Sequence, residues 1–289
     1  MKKLGIVTCQ RLPTLSMSDQ LLLQPLEKLG FNPEPVIWNN KKVDWSSFDY
    51  LILRSCWDYY IHIEDYLSWL TQLSTMHVHV WNPLPILKWN SNKKYLKELE
   101  YKGVPIIPTV YIEQGEKYFL RDIADRKRWK HLVIKPAVGA DGFGASRITT
   151  DLTNSSQKPF DNLLKMGDIL VQPFMNEAVI GGEYSFVFIG GNYSHAILKR
   201  PVKGDFRPTH ISRGGVIKIE PSNTLIRQAA RILEKLGSPL LYARVDGIIT
   251  NGTLLLMELE LIEPYLYFEY APTSAIKFAK TLKCMISSL

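Results

Sequence analysis

Apolar and polar positions alternate in blocks over the first third of the chain. Apolar runs of four or five residues predict buried strands, whereas longer stretches with apolar residues three or four positions apart predict amphipathic helices. The predicted strands are residues 4–8, 35–38, 50–54 and 78–81, and the predicted helices are residues 19–29 and 63–73. This alternation is typical of a parallel sheet covered by helices.

The pattern changes twice further along the chain. A middle segment combines a lysine-rich helix and a charged helix with short strands, at 91–101 for the first helix and 109–112, 132–136 and 168–172 for the strands. From residue 173 strands predominate, at 184–189, 194–200 and 216–219, with a helix at 224–236 and a hairpin around Asn251-Gly252. We therefore expect an α/β protein of three units: residues 1–88, 89–172 and 173–289.

Composition narrows the class of protein. With 289 residues, 46% of them hydrophobic, the chain can form a substantial core, and it contains no run of 18 apolar residues that would span a membrane. Its three cysteines, Cys9, Cys56 and Cys284, are too few and too widely spaced for a disulfide framework or a zinc site. We expect a cytoplasmic protein that does not bind a membrane.

The net charge of +7 favours anionic partners without choosing among nucleic acid, a phosphorylated small molecule and a membrane surface. The densest basic stretch, residues 126–131, is typical of a solvated helix end. No zinc finger or RNA-binding signature accompanies it. We therefore expect no nucleic-acid partner.

Polar and aromatic residues crowd the end of the third predicted strand. Ligands of parallel α/β sheets bind beyond the carboxyl ends of the strands, which makes this edge a candidate substrate surface. The candidate residues are Arg54, Ser55, Trp57 and Asp58. The alternative is a capped strand end with a packed tryptophan.

A glycine-rich loop follows the strand that ends in Lys135-Pro136. Gly139, Gly142 and Gly144 allow the backbone to approach an anion closely. The loop is neither a P-loop nor a dinucleotide-binding turn, because no Gly-Lys-Ser/Thr ends it and it leads into a strand pattern. Lys135 can reach phosphates that the loop would cover. Together they predict a nucleoside triphosphate gripped between two sheets.

Three carboxylates lie on the final hairpin. Glu258 and Glu260 are two apart in a strand and so share a face, which is costly in apolar surroundings unless a cation lies between them. Hard oxygen ligands of this kind select magnesium or manganese. A two-residue Asn251-Gly252 turn would put Asp246 on the opposite face, so the metal hypothesis predicts a three-residue loop or an equivalent bulge. The alternative is an exposed, charged hairpin.

Basic residues lie between these two motifs in the sequence. Arg200, Arg207 and Arg213 cluster near Gly204 and Gly214, and Arg244 lies on the strand of Asp246. Arginines suit bidentate capture of a carboxylate or a phosphate and could stabilise a phosphorylated intermediate. A solvated basic loop is the alternative.

The order of these motifs resembles the ATP-grasp superfamily. The matching residues are Val133-Ile134-Lys135-Pro136, the glycine-rich loop, Val171-Gln172-Pro173-Phe174-Met175 and the set Asp246 with Glu258-Leu259-Glu260. More narrowly, the chain is similar to the glutathione-synthetase-like branch and its cycloserine-forming ligases. Phrases that support this branch are residues 53–59, Trp81-Asn82-Pro83, Lys199-Arg200-Pro201, Gly204-Asp205-Phe206-Arg207 and residues 260–264.

The resemblance implies an ATP-grasp fold, with an N-terminal parallel α/β domain and two lobes that grip ATP. It implies that Lys93 or its neighbour Lys94, together with Lys135, holds the phosphates under a lid formed by Gly139, Gly142 and Gly144. Backbone groups of the 172–175 segment (Gln172, Pro173, Phe174, Met175) would read adenine, and Glu183 would hold the ribose. Asp246, Glu258 and Glu260 would bind two Mg²⁺ ions, with Mn²⁺ as the alternative ion. Arg200, Arg207 and Arg213 would face an acyl phosphate.

The implied activity is that of an ATP- and magnesium-dependent ligase. It would activate a small-molecule carboxylate as an acyl phosphate, couple it to an amine and release ADP and phosphate. A ring-closing ligase of the cycloserine-forming type, a phosphotransferase and a nucleotide-binding protein without turnover are the alternatives, and a homo-oligomer is compatible with the sequence. Glu260 departs from the family, which often has asparagine there, and this leaves the metal preference open. Residues 208–210 lengthen the basic stretch, and this leaves the identity of the substrate open.

Overall fold

The computed structural model of the protein describes residues 1–140, 142–149, 154–201 and 215–288. Over these ranges the chain forms three sheets, one parallel and two antiparallel. Within the same ranges, no helix is both long and apolar enough to cross a lipid bilayer.

The first sheet is parallel throughout, as the sequence pattern predicts. Its strands are β1 (Lys2–Thr8), β2 (Phe31–Ile37), β3 (Tyr50–Ser55) and β4 (His79–Trp81), in the order β2-β1-β3-β4. The connecting helices are α1 (Met17–Gln20), α2 (Leu23–Lys28) and α3 (Ile63–Leu73). The predicted helix at 19–29 is two helices, because Pro25 lies in the first turn of α2, where its missing N–H is tolerated.

Two short helices lead out of this sheet. They are α4 (Leu84–Asn90) and α5 (Tyr95–Tyr101), so that the predicted helix 91–101 begins four residues later and a preceding helix was missed. Tyr95, Leu96 and Leu99 of α5 are buried in one core with Val245 and Leu259 from the C-terminal part of the chain. These helices therefore connect the N-terminal sheet to the C-terminal one.

The second sheet is antiparallel and has a core of its own. Its strands are β5 (Val110–Ile112), β6 (His131–Pro136), β7 (Ser146–Thr149) and β8 (Ile169–Pro173), in the order β5-β8-β6-β7. It is covered by α6 (Leu120–Lys127) and α7 (Asn154–Met166). The glycine-rich loop is the connection between β6 and β7. The strand predicted after the loop is therefore confirmed.

The third sheet is antiparallel and carries the acidic hairpin at its edge. Its strands are β9 (Glu183–Ile189), β10 (Asn192–Lys199), β11 (Val216–Ile219), β12 (Tyr242–Thr250) and β13 (Thr253–Glu260), in the order β11-β10-β9-β12-β13. The helices of this region are α8 (Asn176–Ile180), α9 (Asn223–Glu234) and α10 (Thr273–Ser287). The sequence pattern predicts α9 but not α8 or α10.

The first and third sheets share one hydrophobic core. Leu4 and Ile52 of the N-terminal sheet pack in the same cluster as Val187, Leu241 and Phe278. The three sheets fall in the three predicted units, apart from the end of β8 at residue 173. The division of the chain into domains at residues 88 and 172 stays a prediction.

Candidate active site

A bulge brings the hairpin carboxylates to one face. Thr250 pairs with Thr253, so the turn is the two-residue Asn251-Gly252 turn and the predicted three-residue loop is wrong. The register then shifts between Asp246 and Gly247, and Asp246 lies opposite Glu258. The equivalent bulge that the metal hypothesis predicts is therefore present, with the consequence that Glu258, Glu260 and Asp246 share a face.

Gly247 is required at this bulge. A β-carbon added there would lie 2.5 Å from the carbonyl oxygen of Leu255, closer than real contacts allow. The absence of a side chain lets the partner strand approach. The sequence places this glycine directly after Asp246 and thereby fixes where the register changes.

Side chains from α4 and α5 cover the outer edge of β13. The Tyr95 hydroxyl accepts a hydrogen bond from the Leu259 N–H (2.9 Å) and donates one to the Leu259 carbonyl (3.0 Å). Asn90 donates to the same carbonyl (2.8 Å) and accepts from the Leu261 N–H (2.9 Å). These bonds satisfy backbone groups that an edge strand would leave open, and they fix the strand that carries Glu258 and Glu260.

Arg244 joins two of the carboxylates. Arg244 lies on β12, opposite Glu260 of β13. Its Nη2 is 2.7 Å from Oδ2 of Asp246, and the same nitrogen donates a hydrogen bond to Glu260. Although burial disfavours the ionised form, Arg244 and Lys199 hold the pKa of Asp246 well below its usual range. Asp246 is therefore a carboxylate anchored between two buried cations.

Lys199 extends this network to β9. Its ammonium lies 2.5 Å from Oε1 of Glu183 and 3.4 Å from Oδ2 of Asp246. Burial works to lower the pKa of Lys199, but the charges of Asp246 and Glu183 outweigh it and raise the pKa. Glu183, the residue expected at a ribose, thus lies beside the hairpin carboxylates in an ion pair.

Glu258 pairs with a different cation. Lys93 Nζ lies 3.1 Å from Oε1 of Glu258 and also donates to the backbone carbonyl of Gly139 in the glycine-rich loop. Its neighbour Lys94 instead pairs with Asp168 (2.8 Å) and Glu113 (3.2 Å). Of the two lysines that the sequence leaves open, the geometry favours Lys93.

The carboxylates are of the chemical type that binds magnesium, but they are not yet arranged around one metal position. In the ranges that the structure describes, no three His, Cys, Asp or Glu side chains are already gathered around a metal position. Asp246, Glu258 and Glu260 nevertheless offer hard oxygen ligands on one face of the hairpin. A divalent cation there would replace protein cations as their partner.

The glycine-rich loop is tightly folded. Gly142 and Gly144 have φ values of 69° and 66°, in the left-handed region that favours glycine. A β-carbon at Gly144 would lie 2.7 Å from the ring of Pro136. The ring of Phe143, between them, packs at a tilt of 43° against the ring of Tyr60, with the centroids 5.0 Å apart. The loop therefore reaches from β6 to the turn that follows β3 of the N-terminal sheet.

Lys135 faces the same region from β6. Burial lowers the pKa of Lys135 to about 8; the Lys93 charge also lowers it, and Glu258 acts in the opposite direction. Among the described residues no carboxylate lies within ion-pair distance of its ammonium. A lysine held this way gains most from an anionic ligand.

A cavity of about 100 Å³ connects these groups. Seven of the candidate site residues from the sequence line it: Trp57, Lys93, Lys135, Gly139, Gly142, Glu258 and Glu260. Residues from all three predicted units therefore meet at one place, with cations and loop glycines on one part of its wall and carboxylates on another.

The candidate substrate residues of β3 divide between two environments. Trp57 lines the cavity, but Arg54 and Ser55 are fully buried around Asp19: Arg54 Nε lies 2.9 Å from Oδ1 and Ser55 Oγ 2.7 Å from Oδ2 of that carboxylate. Asp58 accepts a hydrogen bond from the Trp38 indole (2.7 Å). These three side chains act in the packing of the N-terminal sheet and do not line the cavity, so that a substrate role for them stays a prediction.

The 172–175 segment runs along the end of β8. Gln172 donates to the Thr109 hydroxyl (2.8 Å), and the Phe174 N–H donates to the His131 carbonyl (2.8 Å). Met175 and Met257, the bulge residue next to Glu258, pack against the same small buried cluster. Pro173 is half-buried. The segment borders the hairpin, where a base bound beside the phosphate site would lie.

One of the three candidate arginines, Arg200, lies within the described residues. Arg200 is exposed just beyond β10, and its N–H donates to the Gly215 carbonyl (3.1 Å). Arg207 and Arg213 lie outside the described residues.

Several cavity residues were not among the candidates from the sequence. Arg244 was noted only as a basic neighbour, although its position two residues before Asp246 puts both side chains on one face. Tyr59, Glu263 and Tyr265 also line the cavity. The sequence could have indicated them, because Tyr59 directly follows Asp58 and because Glu263 and Tyr265 come within five residues of Glu260.

The comparisons with known proteins agree with this fold. Residues 4–82 match the family described as D-cycloserine synthetase DcsG, N-terminal domain. Over 274 residues the chain is 28% identical to the cycloserine biosynthesis protein DcsG of Streptomyces lavendulae, with 90% of this chain and 91% of that protein covered.

Solved structures are similar over the same extent. The crystal structure of D-cycloserine synthetase DcsG has a TM-score of 0.89 and 26% identity, with 97% of this chain and 98% of that one covered. The D-alanine–D-alanine ligase of Bacillus anthracis complexed with ATP has a TM-score of 0.70 and 16% identity, with 99% and 97% covered.

The fold and these relatives define the chain as an ATP-grasp ligase, an ATP-dependent enzyme that forms carbon–nitrogen bonds. Within that class it is similar to the D-cycloserine synthetase DcsG over nearly its whole length. The expected fold class and family are confirmed.

Proposed function

We propose that this enzyme activates a small-molecule carboxylate as an acyl phosphate and couples it to an amine, releasing ADP and phosphate. One observation carries the proposal: a single cavity joins Lys93, Lys135 and the glycine-rich loop to Glu258 and Glu260 of the β12–β13 hairpin. Cations and backbone N–H groups suit phosphates, and the carboxylates suit the metal ions that accompany them. Phosphoryl transfer needs this combination and no covalent nucleophile.

The nucleotide would lie between the second and third sheets. Lys93 and Lys135 would hold its phosphates under the loop of Gly139, Gly142 and Gly144. The backbone of the 172–175 segment would bind adenine beside Met175 and Met257, which pack against the same buried cluster. Glu183 would bind the ribose, with Lys199 fixing its carboxylate.

Asp246, Glu258 and Glu260 would hold two magnesium ions, with manganese as the alternative. When bound, magnesium would neutralise charge on the transferred phosphoryl group. The carboxylates are already prearranged on one face by the Gly247 bulge and by the Tyr95 and Asn90 hydrogen bonds to β13.

Two displacements would follow. A carboxylate oxygen of the substrate attacks the γ-phosphorus and ADP leaves; the amine nitrogen then attacks the acyl carbon, loses a proton, and phosphate leaves with the carboxylate oxygen. Arg200, Arg207 and Arg213 would stabilise the acyl phosphate, and Arg244, whose guanidinium lines the cavity, would assist them. The Phe143–Tyr60 contact would hold the loop over the cavity and help to exclude water.

Ring closure is the second candidate. In this variant the amine belongs to the same molecule as the carboxylate. The likeness to D-cycloserine synthetase DcsG in both sequence and fold favours it. We also propose that the enzyme acts in the cytoplasm on small molecules, with a homo-oligomer as its candidate assembly.

The test is the stoichiometry of products over a panel of amino acids, ureido acids and small amines with ATP and magnesium. Equal ADP and free phosphate that appear only with a particular acid support the ligase. ADP with a stable phosphorylated product would indicate a phosphotransferase, and AMP with pyrophosphate would contradict the acyl-phosphate route. Lys135→Ala supplies the background rate.

A further inference from the structure

Asp168 joins three segments of the chain beside the proposed phosphate site. It directly precedes β8, and its carboxylate accepts hydrogen bonds from the Lys94 ammonium (2.8 Å) and from the backbone N–H of Gln114 (2.9 Å), just after β5. Lys94 directly precedes α5, and its ammonium also lies 3.2 Å from Oε1 of Glu113. The carboxylate therefore connects the second sheet to a helix that packs in the core of the third.

The backbone links the same residues a second time. The Lys93 N–H donates to the Ala137 carbonyl (2.7 Å), and the Ala137 N–H donates to the Asp168 carbonyl (2.8 Å). Ala137 directly follows β6, the strand of Lys135. Asp168 is thus connected to Lys94 through its side chain and to Lys93 through Ala137, so that both residues of this lysine pair are fixed on one aspartate.

The ion pair is part of a network of fixed geometry. The side-chain oxygen of Asn92 accepts the Lys94 N–H (2.9 Å). Partial burial works to raise the pKa of Asp168, but its hydrogen bonds, above all the one from Lys94, lower that pKa overall. The bond to Asp168 likewise raises the pKa of Lys94. An isolated exposed ion pair contributes little, whereas an ionised carboxylate with several fixed donors can hold the segments that carry them.

The residue between these anchors is the phosphate candidate Lys93. Its ammonium donates to the Gly139 carbonyl and pairs with Glu258, and its side chain lines the cavity. Neither Lys94 nor Asp168 is among the described residues that line the cavity. The Lys94–Asp168 pair would therefore act on a nucleotide there through the position of Lys93 and not by contact.

We propose that Lys94 and Asp168 are positioning residues for Lys93: their ion pair fixes the backbone that carries Lys93, so that its ammonium meets the phosphates of the nucleotide. This inference rests on the proposed function, in which Lys93 binds those phosphates. A long side chain on a fixed backbone loses less conformational freedom when it binds, and the affinity for the ligand is higher for that reason. Of the two adjacent lysines, one binds the ligand and the other holds its neighbour in place.

The experiment is a double-mutant cycle on the binding of a non-hydrolysable ATP analogue, measured by calorimetry in the presence of magnesium. Asp168→Asn keeps the shape of the side chain and removes its charge, and it raises the dissociation constant about fivefold. In a Lys93→Ala background the same substitution changes the dissociation constant less than about twofold, because the residue through which it acts is gone. A purely structural role would give the same factor in both backgrounds.

Three further variants sharpen the test. Lys94→Gln removes the ion pair from its other side and matches Asp168→Asn, whereas Asp168→Glu keeps the charge and stays within about twofold of the wild type. Asp125→Asn is the matched control: Asp125 lies on α6 over the same sheet, pairs with Arg121 at 3.9 Å on the surface, and leaves the affinity unchanged when replaced. Urea unfolding shows that each variant is folded. Without nucleotide, hydrogen exchange around Lys93 quickens in Asp168→Asn and Lys94→Gln but not in the control.

An unchanged dissociation constant in Asp168→Asn, or an equal factor in the two backgrounds, overturns the inference. The proposed function is judged separately, by product release. If the wild type forms ADP and phosphate while either of these results is found, the ligase stands and only the positioning role is refuted. A wild type that binds no nucleotide overturns both.

Discussion

At Asp246 two buried cations, Arg244 and Lys199, converge on one carboxylate. Breaking a buried ion pair by removing one partner leaves the other charge desolvated and unpaired. Asp246 therefore contributes to the stability of the third sheet as well as to the proposed metal site. Glu258 pairs with Lys93, and its side chain is about a third exposed. It therefore contributes less to stability than Asp246 does.

Asp246→Asn is expected to lower the free energy of unfolding by about 3 kcal/mol, because it leaves Arg244 and Lys199 without their shared carboxylate. Because the pKa of Asp246 is lowered by folding, this stabilisation is present above the unfolded pKa of about 3.9 and is lost as the pH falls towards the folded value. Urea unfolding at pH 7 measures the loss.

The matched control is Glu258→Gln, whose expected cost is below about 1 kcal/mol since its ion pair is partly solvated. It should nevertheless weaken magnesium binding, so that a higher magnesium concentration is needed for half-maximal turnover. Equal destabilisation by the two variants would show that the buried network around Asp246 is not what holds this hairpin.

Lys135 should make nucleotide binding sensitive to pH. With a folded pKa of about 8, it is mostly charged at pH 7 and mostly neutral at pH 9. The dissociation constant for ATP is expected to rise about tenfold over this interval, because only the charged form competes for phosphates effectively. Lys135→Arg keeps its charge and should flatten the profile. Parallel profiles for the two proteins would contradict the assignment.

At the scale of elements, β13 is an edge strand that the rest of the chain covers. Tyr95 and Asn90 bond the backbone of Leu259 at its outer edge. Asn90 and Asn82 also bond Leu261, the residue that follows the strand, with Asn82 donating to its carbonyl (2.8 Å). The positions of Glu258 and Glu260 thus depend on helices that precede them by some 160 residues in the sequence.

Tyr95→Phe is expected to cost about 1–3 kcal/mol of stability, since it leaves the Leu259 N–H and carbonyl groups without this partner. It should also raise the magnesium concentration needed for half-maximal activity. Urea unfolding and a magnesium titration measure the two effects.

Tyr66→Phe is the control for this substitution. The Tyr66 hydroxyl is fully buried and has no hydrogen-bond partner among the described residues, so its removal is expected to leave stability unchanged or higher. A loss of stability as large as that of Tyr95→Phe would refute the role given to the Tyr95 hydroxyl.

The sequence predicts elements well where local signals decide them. Helix α3 and the Asn251-Gly252 turn follow from apolar spacing and turn chemistry. Helix α10 was missed although Ala275, Phe278 and Leu282 have helical spacing. Helix α7 contains Pro159, which removes a backbone donor and argues against a helix when only the sequence is read.

Burial depends on partners that local patterns do not reveal. Arg54 and Ser55 look like polar groups at a strand end, yet Asp19, 35 residues earlier, and the Pro264 carbonyl, 210 residues later, enclose Arg54. The bulge at Gly247 could be anticipated only because the metal hypothesis required it. The ligase motifs themselves were local and could be read directly.

At the scale of the whole molecule, the first and third sheets form one body. The Tyr242 hydroxyl lies 2.6 Å from the Leu53 carbonyl and 2.9 Å from that of Ile262. Helix α10 packs with Leu26 of α2 through Phe278. The second sheet has a further core of its own, although Leu170 of β8 also packs in the cluster of the third sheet. This division suits a lobe that moves to admit ATP.

Hydrogen exchange should reveal this division. Amides of β6 and β7 are expected to exchange through lower-energy openings than those of β1 and β12, because the latter pair belongs to the shared core. Mass spectrometry of peptides from these strands measures the difference. Uniform protection across all three sheets would contradict a separately mobile lobe.

The acyl phosphate is the central claim, and oxygen transfer tests it most directly. The acid that supports turnover is labelled with ¹⁸O in its carboxylate, and the released phosphate is analysed by mass spectrometry. One labelled oxygen in each phosphate is the expected result, since the leaving phosphate retains the carboxylate oxygen that attacked ATP. Unlabelled phosphate together with the normal ligated product would contradict the mechanism.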